Sequence, residues 1–587
     1  MNTEPRTGKL RHTLQHLAVF LPAVIITGCL SSRAPLSEAD TIYFNGKIVT
    51  ADSAFTVAQA VAIKGDKFLA VGADKEILAY EGEGTAKVDL EGRTVIPGLI
   101  EAHAHPERAG LSERDGPLPN PRTVEERLTW IKAEAGKKKE GEWIIHPKLF
   151  ATRLREMRPP SLAELDSVAP GNPVFLNGSY GGSINSAALR ASGISEKTDH
   201  PGVLRDPDTG KLNGQLRFTA LPLLKLPEQK KYALEERAAA LEEMFKRYNR
   251  VGFTSFTSGA IAPADTALYH YMKEQGRLTI RAFLNIYGPF PFKEAAPAVL
   301  DSQVASLGFK TGDGDEWVRT GALKTLIDGG ICTGTAYLRQ PWGQKAREIF
   351  GVADPEYRGI PRCTAEEFAK LVHAGALSGW KMTAHATGGG AVDLMLDAYE
   401  QVNGIVPIAP LRCSIIHGNF YTPEAIGRMK KLNIIADIQP AWFYKDADAM
   451  LYILGPERVR DFLPLRSLID AGVVVSLGSD HMVILDDKES INPYSPWLAF
   501  WSMVTRKTEW GTQIVPEEAI TREEALRCYT INNAYASFEE ALKGTIEPGK
   551  LADMAVLEKD LLTCPVDEIK DMKVKMTVVG GKVVYQE

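Results

Sequence analysis

The chain lacks a long apolar run. Beyond its N-terminal region no stretch approaches the about 18 to 20 apolar residues that a membrane-crossing helix needs, which excludes a body built of such helices. It is also poor in cysteine, with six in 587 residues and no CxxC pair. Cys332, Cys363, Cys413, Cys528 and Cys564 are too scattered for a disulfide framework and read as small buried hydrophobes. A dominant charge is missing too. The 68 basic side chains nearly balance 74 acidic ones, for a net charge of -6, so nothing in the overall charge calls for nucleic acid or acidic substrates. With 44% hydrophobic and 24% charged residues, the rest is ordinary globular protein with enough chain for a large core.

The N-terminus differs from the rest. Arg6, Lys9, Arg11 and His12 precede the apolar run LAVFLPAVIITG, which ends at Cys29. Charge, a short greasy stretch and small residues are the layout of a secretory signal. The tetrapeptide ITGC resembles a bacterial lipobox, which implies lipidation of Cys29 and cleavage before it. The expectation is an exported bacterial lipoprotein, at the periplasmic face of the outer membrane or the cell surface, touching membrane through its lipid anchor only. A plain signal peptide with an incidental cysteine is the alternative.

After a polar linker, ADTIYFNGKIVTAD and VAQAVAIKGDKFLAVG show β-branched runs separated by Asn-Gly and Gly-Asp turns, the grammar of hairpins. The far end, GTIEPGKLADMAVLEKD and VKMTVVGGKVVYQE, has the same texture. Between them a strand-then-helix alternation favours a parallel sheet with helices outside. Eight strands are expected, in TVIPGLIEAH, GFTSFTS, LTIRAFLNIYG, TGALKTLIDGG, WKMTAHATGGG, LRCSIIHGNF, LNIIADIQPAW and AGVVVSLGSDH. The strand-like PVFLNGSYGG is left to an insertion. The fold class is α/β, a (β/α)8 TIM barrel with a small β-sandwich domain built from both chain ends. The expected divisions are a signal over 1–28, a linker over 29–39, β parts over 40–97 and 545–587, and a barrel over 98–544 with an insertion at about 107–250.

Chemistry in such a barrel sits at the C-terminal ends of its strands. The first expected strand ends EAHAHP, and alternation puts His103 and His105 on one side of it. Three later strands end on ligand-type residues as well, His385 in MTAH, His417 in SIIH and Asp480 in SLGSD. Lys324 lies inside the apolar GALKTLID, where an unpaired ammonium would cost several kcal/mol. It needs an anionic partner, Asp328 or Glu316, or conversion by carbon dioxide to an anionic carbamate.

These motifs resemble the metal-dependent amidohydrolase superfamily, in the branch that includes N-substituted formamide deformylases. The resemblance rests on GRTVIPGLIEAHAH, GALKTLIDGGICTGTAYL, HATGGGAVDLMLDAYE, RCSIIHGN, SLGSD and GTIEPGKLADMAVL and runs from about Ala39 to the end. It implies His103, His105 and Asp480 on a buried metal, His385 and His417 on a second, and Lys324 bridging as N6-carboxylysine. Nitrogen and oxygen ligands fit Zn2+, one or two per chain, with Mn2+ or Fe2+ open. The implied reaction is hydrolysis of a C–N bond in an amide, N-formyl or cyclic amide by metal-activated hydroxide, with Asp480 as general acid and base.

The chain departs from the resemblance at Tyr180, where relatives commonly have His, and at Gly389, where an acidic residue is common. Tyr180, Tyr337, Trp342, Trp442 and His481 are candidates for substrate contact, although aromatic residues placed like Tyr337, Trp342 and Trp442 more often serve as plain packing, and His481 equally fits packing against the barrel rim. His146, His200, His270 and His373 are read as surface or core histidines. The partner is a small molecule, with no nucleic acid and with self-association left open. Two alternatives stand beside this reading. One is a deaminase or cyclic-imidate hydrolase of the same superfamily, which usually runs on one metal and lacks the strand-four lysine. The other is a binding lipoprotein without catalysis, which would hold no stoichiometric metal. For the anchor, Cys29→Ser should move the protein out of the membrane fraction; a wild-type protein already free in the periplasm would show that Cys29 is not lipidated.

Overall fold

In the computed structural model, residues 37–288 and 290–587 are described. The expected signal segment and Cys29 lie outside the described residues. Among those described, no helix is long and apolar enough to cross a membrane.

Eight parallel strands form the central sheet: β1 Leu99–Ala104, β2 Phe253–Ile261, β3 Arg281–Tyr287, β4 Val318–Leu326, β5 Met382–Ala386, β6 Ser414–His417, β7 Ile435–Ile438 and β8 Val475–Leu477. Each overlaps one of the eight segments read as strands from the sequence, though Phe253–Ile261 runs three residues beyond its segment and Val318–Leu326 begins two residues before its own. Their spatial order is their chain order, the outcome of repeated strand–helix–strand units with one hand. The sheet curls until its edges meet. The last contact is short: Asp480 N donates to His103 O at 2.7 Å and His105 N to His481 O at 2.7 Å. The result is a nearly closed TIM-type barrel.

The strands are apolar on both faces, as fits a sheet filled inside and covered outside. Helix Leu234–Arg250 shows how the cover forms. Ala238, Leu241, Phe245 and Tyr248 recur at helical spacing, are buried and join the barrel's core cluster. This helix lies within the range read as an insertion, yet its buried face belongs to the barrel.

The segment between β1 and this helix carries a separate five-stranded sheet, formed by Ile144–His146, Val174–Asn177, Gly181–Ile184, Val203–Arg205 and Leu212–Arg217. PVFLNGSYGG contributes two of these strands and none to the barrel. The chain ends supply two further sheets. A six-stranded one pairs Thr94–Pro97 antiparallel with Met554–Leu557, so both termini share it. A four-stranded one comes from the N-terminal part alone.

Arg281, the first residue of β3, ties barrel to terminal sheet. Its guanidinium makes a bidentate pair with Asp553, at 2.8 and 3.1 Å, and both side chains are almost fully buried. Asp553 also accepts from Gly580 N at 2.8 Å. Removing one partner would strand the other charge in the interior. Asp553→Ala should therefore cost about 3 to 5 kcal/mol of stability. A urea midpoint equal to wild type would mean the pair is not needed to hold the termini on the barrel.

Candidate metal centre

His103 and His105 leave the end of β1 and Asp480 follows β8, so the barrel's closing seam brings them together. Asp480 Oδ1 lies 3.6 Å from His103 Nε2 and 3.4 Å from His105 Nε2. One ligand atom from each residue falls within 4.8 Å of the others. Space for two imidazoles is made on β2, where a Cβ at Gly259 would stand 2.6 Å from His105 Nε2 and 2.8 Å from His103 Nε2. Beneath the seam, buried Glu101 accepts from His103 N at 2.9 Å and Ser479 N at 2.8 Å. It thereby fixes both sides of the junction. Burial pushes its carboxyl up to about 8.

Asp480 and His417 both hold left-handed backbone, at φ of 55° and 73°. For non-glycine residues that conformation is strained, and such strain gathers at functional sites. His417 closes β6 with its ring centroid 4.5 Å from that of His385 and 5.6 Å from that of His103. Its Nδ1 donates to Gln439 Oε1 at 2.6 Å, while Gln439 Nε2 donates to Asp437 Oδ1 at 2.8 Å. This relay leaves His417 Nε2 as the free lone pair. His385 Nε2 donates to Gly329 O at 2.8 Å, so its Nδ1 faces the Tyr180 hydroxyl, 3.2 Å away, as an acceptor.

Burial drives His103 and His385 well below the ordinary histidine value and His417 down to about 4. It lowers His105 too. All four are neutral near pH 7 and can donate lone pairs. Burial disfavours the Asp480 carboxylate, but its hydrogen bond with His105 leads the effects that outweigh burial and hold the group well below the carboxylate range. Neutral imidazoles converging with a carboxylate suit a divalent cation, and the donor set contains no thiolate.

Lys324 is buried on β4 and lines the same cavity. Burial brings it down to about 8 against the opposing pull of Asp480 and Asp437. Neither partner considered from sequence pairs with it among the described residues. Asp328 instead accepts from the backbone N–H groups of Tyr337, Thr387 and Gly388 at 2.8 to 2.9 Å.

The cavity holds about 380 Å³ and is lined by His103, His105, Lys324, His385, His417 and Asp480. Of the five side chains considered for substrate contact, Tyr180 and Trp442 also line it. The other three do not. His481 is wholly buried, with Nδ1 on the Tyr248 hydroxyl at 3.1 Å and Nε2 on Ile484 O at 2.7 Å. Trp342 is buried and donates to Ala336 O at 3.0 Å, and Tyr337 stands beside the Gly388 turn. At Gly389 a Cβ would meet Arg339 Nη1 at 2.3 Å, which leaves no room for an acidic side chain without a shift. Residues missed from the sequence include Arg108, Lys148 and Phe150 in the cavity wall. Glu101, Asp437 and Gln439, which support the histidines, were missed as well. The last three were visible as polar residues inside apolar strand segments.

Comparison with known proteins bears on this site. The family model described as "Amidohydrolase family" matches residues 86–585. An "N-substituted formamide deformylase" of Arthrobacter pascens is 29% identical over 93% of this chain and 98% of its own length. "Protein LONG AFTER FAR-RED 3" of Arabidopsis thaliana is also 29% identical, over 93% of this chain and 92% of its own. Among solved structures, an uncharacterized metal-dependent hydrolase from Pyrococcus horikoshii superposes with a TM-score of 0.65 at 20% identity, covering 90% of this chain and 99% of that one. At that identity the likeness speaks for the fold.

The Gln439 relay gives a direct test of the centre. Gln439→Leu keeps the volume but removes the acceptor that sets the His417 tautomer. Metal affinity should fall about 10- to 100-fold, as when other partners of ligating histidines are lost. Titration with Zn2+ under a competing chelator measures this; an unchanged affinity would remove His417 from the ligands.

Proposed function

We propose, since the chain belongs to the amidohydrolase family and is a hydrolase of C–N bonds, that its barrel mouth cleaves an amide, N-formyl or cyclic-amide bond at the carbonyl carbon. The observation that carries the reading is the convergence of His103, His105 and Asp480 at the C-terminal ends of β1 and β8, where a cavity of about 380 Å³ opens. His103, His105 and Asp480 would hold one divalent cation, and His385 with His417 a second. Lys324, as N6-carboxylysine, would lie between them. A bound cation, Zn2+ by the donor set, would polarise the scissile carbonyl and lower the pKa of water to about 7.

The chain's own groups do the rest. Asp480 is the one carboxylate in the cavity wall among the described residues, so it is the group suited to take a proton from the attacking water and pass it to the leaving amine. Burial raises the Tyr180 phenol, which keeps its proton; with the His385 Nδ1 lone pair on a cation, that hydroxyl would be released to donate to the carbonyl oxygen as charge builds there. Trp442 and Phe150, 5.7 Å apart between centroids, give the cavity an apolar wall for the substrate's side chain. The N-terminal sequence supports export and lipidation at Cys29.

A screen of N-formyl, N-acyl and cyclic amides with metal-loaded protein, read by amine release, tests the reaction. Ammonia release from an aminated heterocycle, with no amide turned over, would favour a deaminase. Absence of stoichiometric metal would favour a binding protein. On any substrate found, Asp480→Asn should lower kcat by about 10²-fold or more with the fold intact. Turnover within a few-fold of wild type at equal metal content would show that another group moves the proton.

A further inference from the structure

Two cations in the cavity wall have no place in the metal set. Lys148 follows strand Ile144–His146 of the inserted sheet and is only 4% exposed, yet it lines the cavity. Its ammonium touches Ser179 Oγ and lies 5.7 Å from the centre of the Phe150 ring, with no ion pair among the described residues. Ser179 is held for that contact in a left-handed backbone, φ 71°, with its N–H on Asn177 Oδ1 at 2.8 Å. Arg108, on helix Pro106–Ser112, is exposed, lines the same cavity and likewise has no ion pair among the described residues.

Some buried cations elsewhere in the fold are ion-paired, while Lys381 and Arg506 rest on backbone carbonyls. Arg153 clamps Asp446 with two hydrogen bonds, at 2.8 and 2.6 Å, and Lys445 meets Glu509 at 2.6 Å. Arg108 and Lys148 are left open, and among the described residues the carboxylate that lines the cavity is Asp480. Asp480 belongs to the metal set. Burial and the nearby Arg108 charge bring Lys148 down to about 7, the mark of an ammonium short of an anion.

We propose that Arg108 and Lys148 form a subsite for a carboxylate on the substrate. This rests on the C–N hydrolase reading and narrows it to acid-bearing amides, such as N-formyl or N-acyl amino acids, in place of neutral amides. A guanidinium offers a planar fork matched to a carboxylate, and Lys148 supplies a second, shielded charge. A cavity of about 380 Å³ suits a small acid of this kind.

The first arm compares N-formylphenylalanine with N-formylphenethylamine, which differ by the carboxylate, on metal-loaded full-length protein. Wild type should favour the acid in kcat/KM, chiefly through KM, and the ratio should fall by about tenfold or more in Lys148→Met and in Arg108→Gln, the scale of losing a hydrogen bond to a charged group. The second arm measures binding of phenylacetate and phenylacetamide by calorimetry on the same proteins. The ratio of their affinities should fall in the same variants, whereas a carboxylate held by metal alone would leave it unchanged. Wild type without preference in either arm, or variants that keep the wild-type ratios, would overturn the subsite. Arg108→Gln alters an exposed side chain and keeps the test open if Lys148→Met does not fold. The expected phenylacetate result with no amide hydrolysed would sink the hydrolase reading and leave the subsite standing.

Discussion

Closure of the barrel between its first and last strands is the constraint on which the rest of the molecule depends. β1 and β8 meet through two backbone hydrogen bonds, His103 to Asp480 and His105 to His481. The residues that close the sheet are thus the residues that converge as metal donors. A barrel that closed one residue out of register would turn Asp480 away from both imidazoles, because successive side chains on a strand point to opposite sides. Glu101, accepting from the backbone on both sides of the seam, fixes that register from below.

The same closeness explains what the seam excludes. Cβ atoms at Gly259 and Gly478 would come within 2.5 to 2.6 Å of His105, Glu101 or the His103 backbone. Their absence is what allows two rings, a buried acid and a left-handed aspartate to share so little space. Strain at Asp480 and His417 is borne by the surrounding network, with Asn492 Nδ2 donating to Asp480 O at 2.9 Å and Gln439 holding the His417 ring. The donors are therefore placed before any ligand arrives.

Much of this was legible from the sequence because the barrel strands are short β-branched runs that stop abruptly at polar residues. The periodicity gave eight strands, and their ends gave the side chains found around the cavity. His481 shows how two open readings are decided: it neighbours Asp480, but alternation turns it into the wall against Tyr248, the packing alternative. Trp342 is likewise packing, the commoner of its two readings, since following a strand end does not say which way a loop folds. Lys148 was not legible at all. Its place in the cavity depends on an inserted sheet whose strand pairing, parallel between Ile144–His146 and Val174–Asn177, joins segments about thirty residues apart.

That insertion also separates the two tasks of the site. The barrel supplies His103, His105, Lys324, His385, His417 and Asp480 from the ends of five strands bound into one ladder, so none can move without disturbing the sheet. Asn177, Ser179 and Tyr180 come instead from the end of Val174–Asn177 and the turn that leads to Gly181–Ile184, and Lys148 from the segment that follows the neighbouring strand Ile144–His146. Turns tolerate substitution and changes of length far better than a closed ladder does. Tyr180 sits in that turn and lines the cavity over His385 without touching the seam. The converging histidines and Asp480 are thereby carried on the closed ladder and much of the remaining cavity wall on the inserted sheet, so the character of the cavity can change while the arrangement of the donors stays fixed.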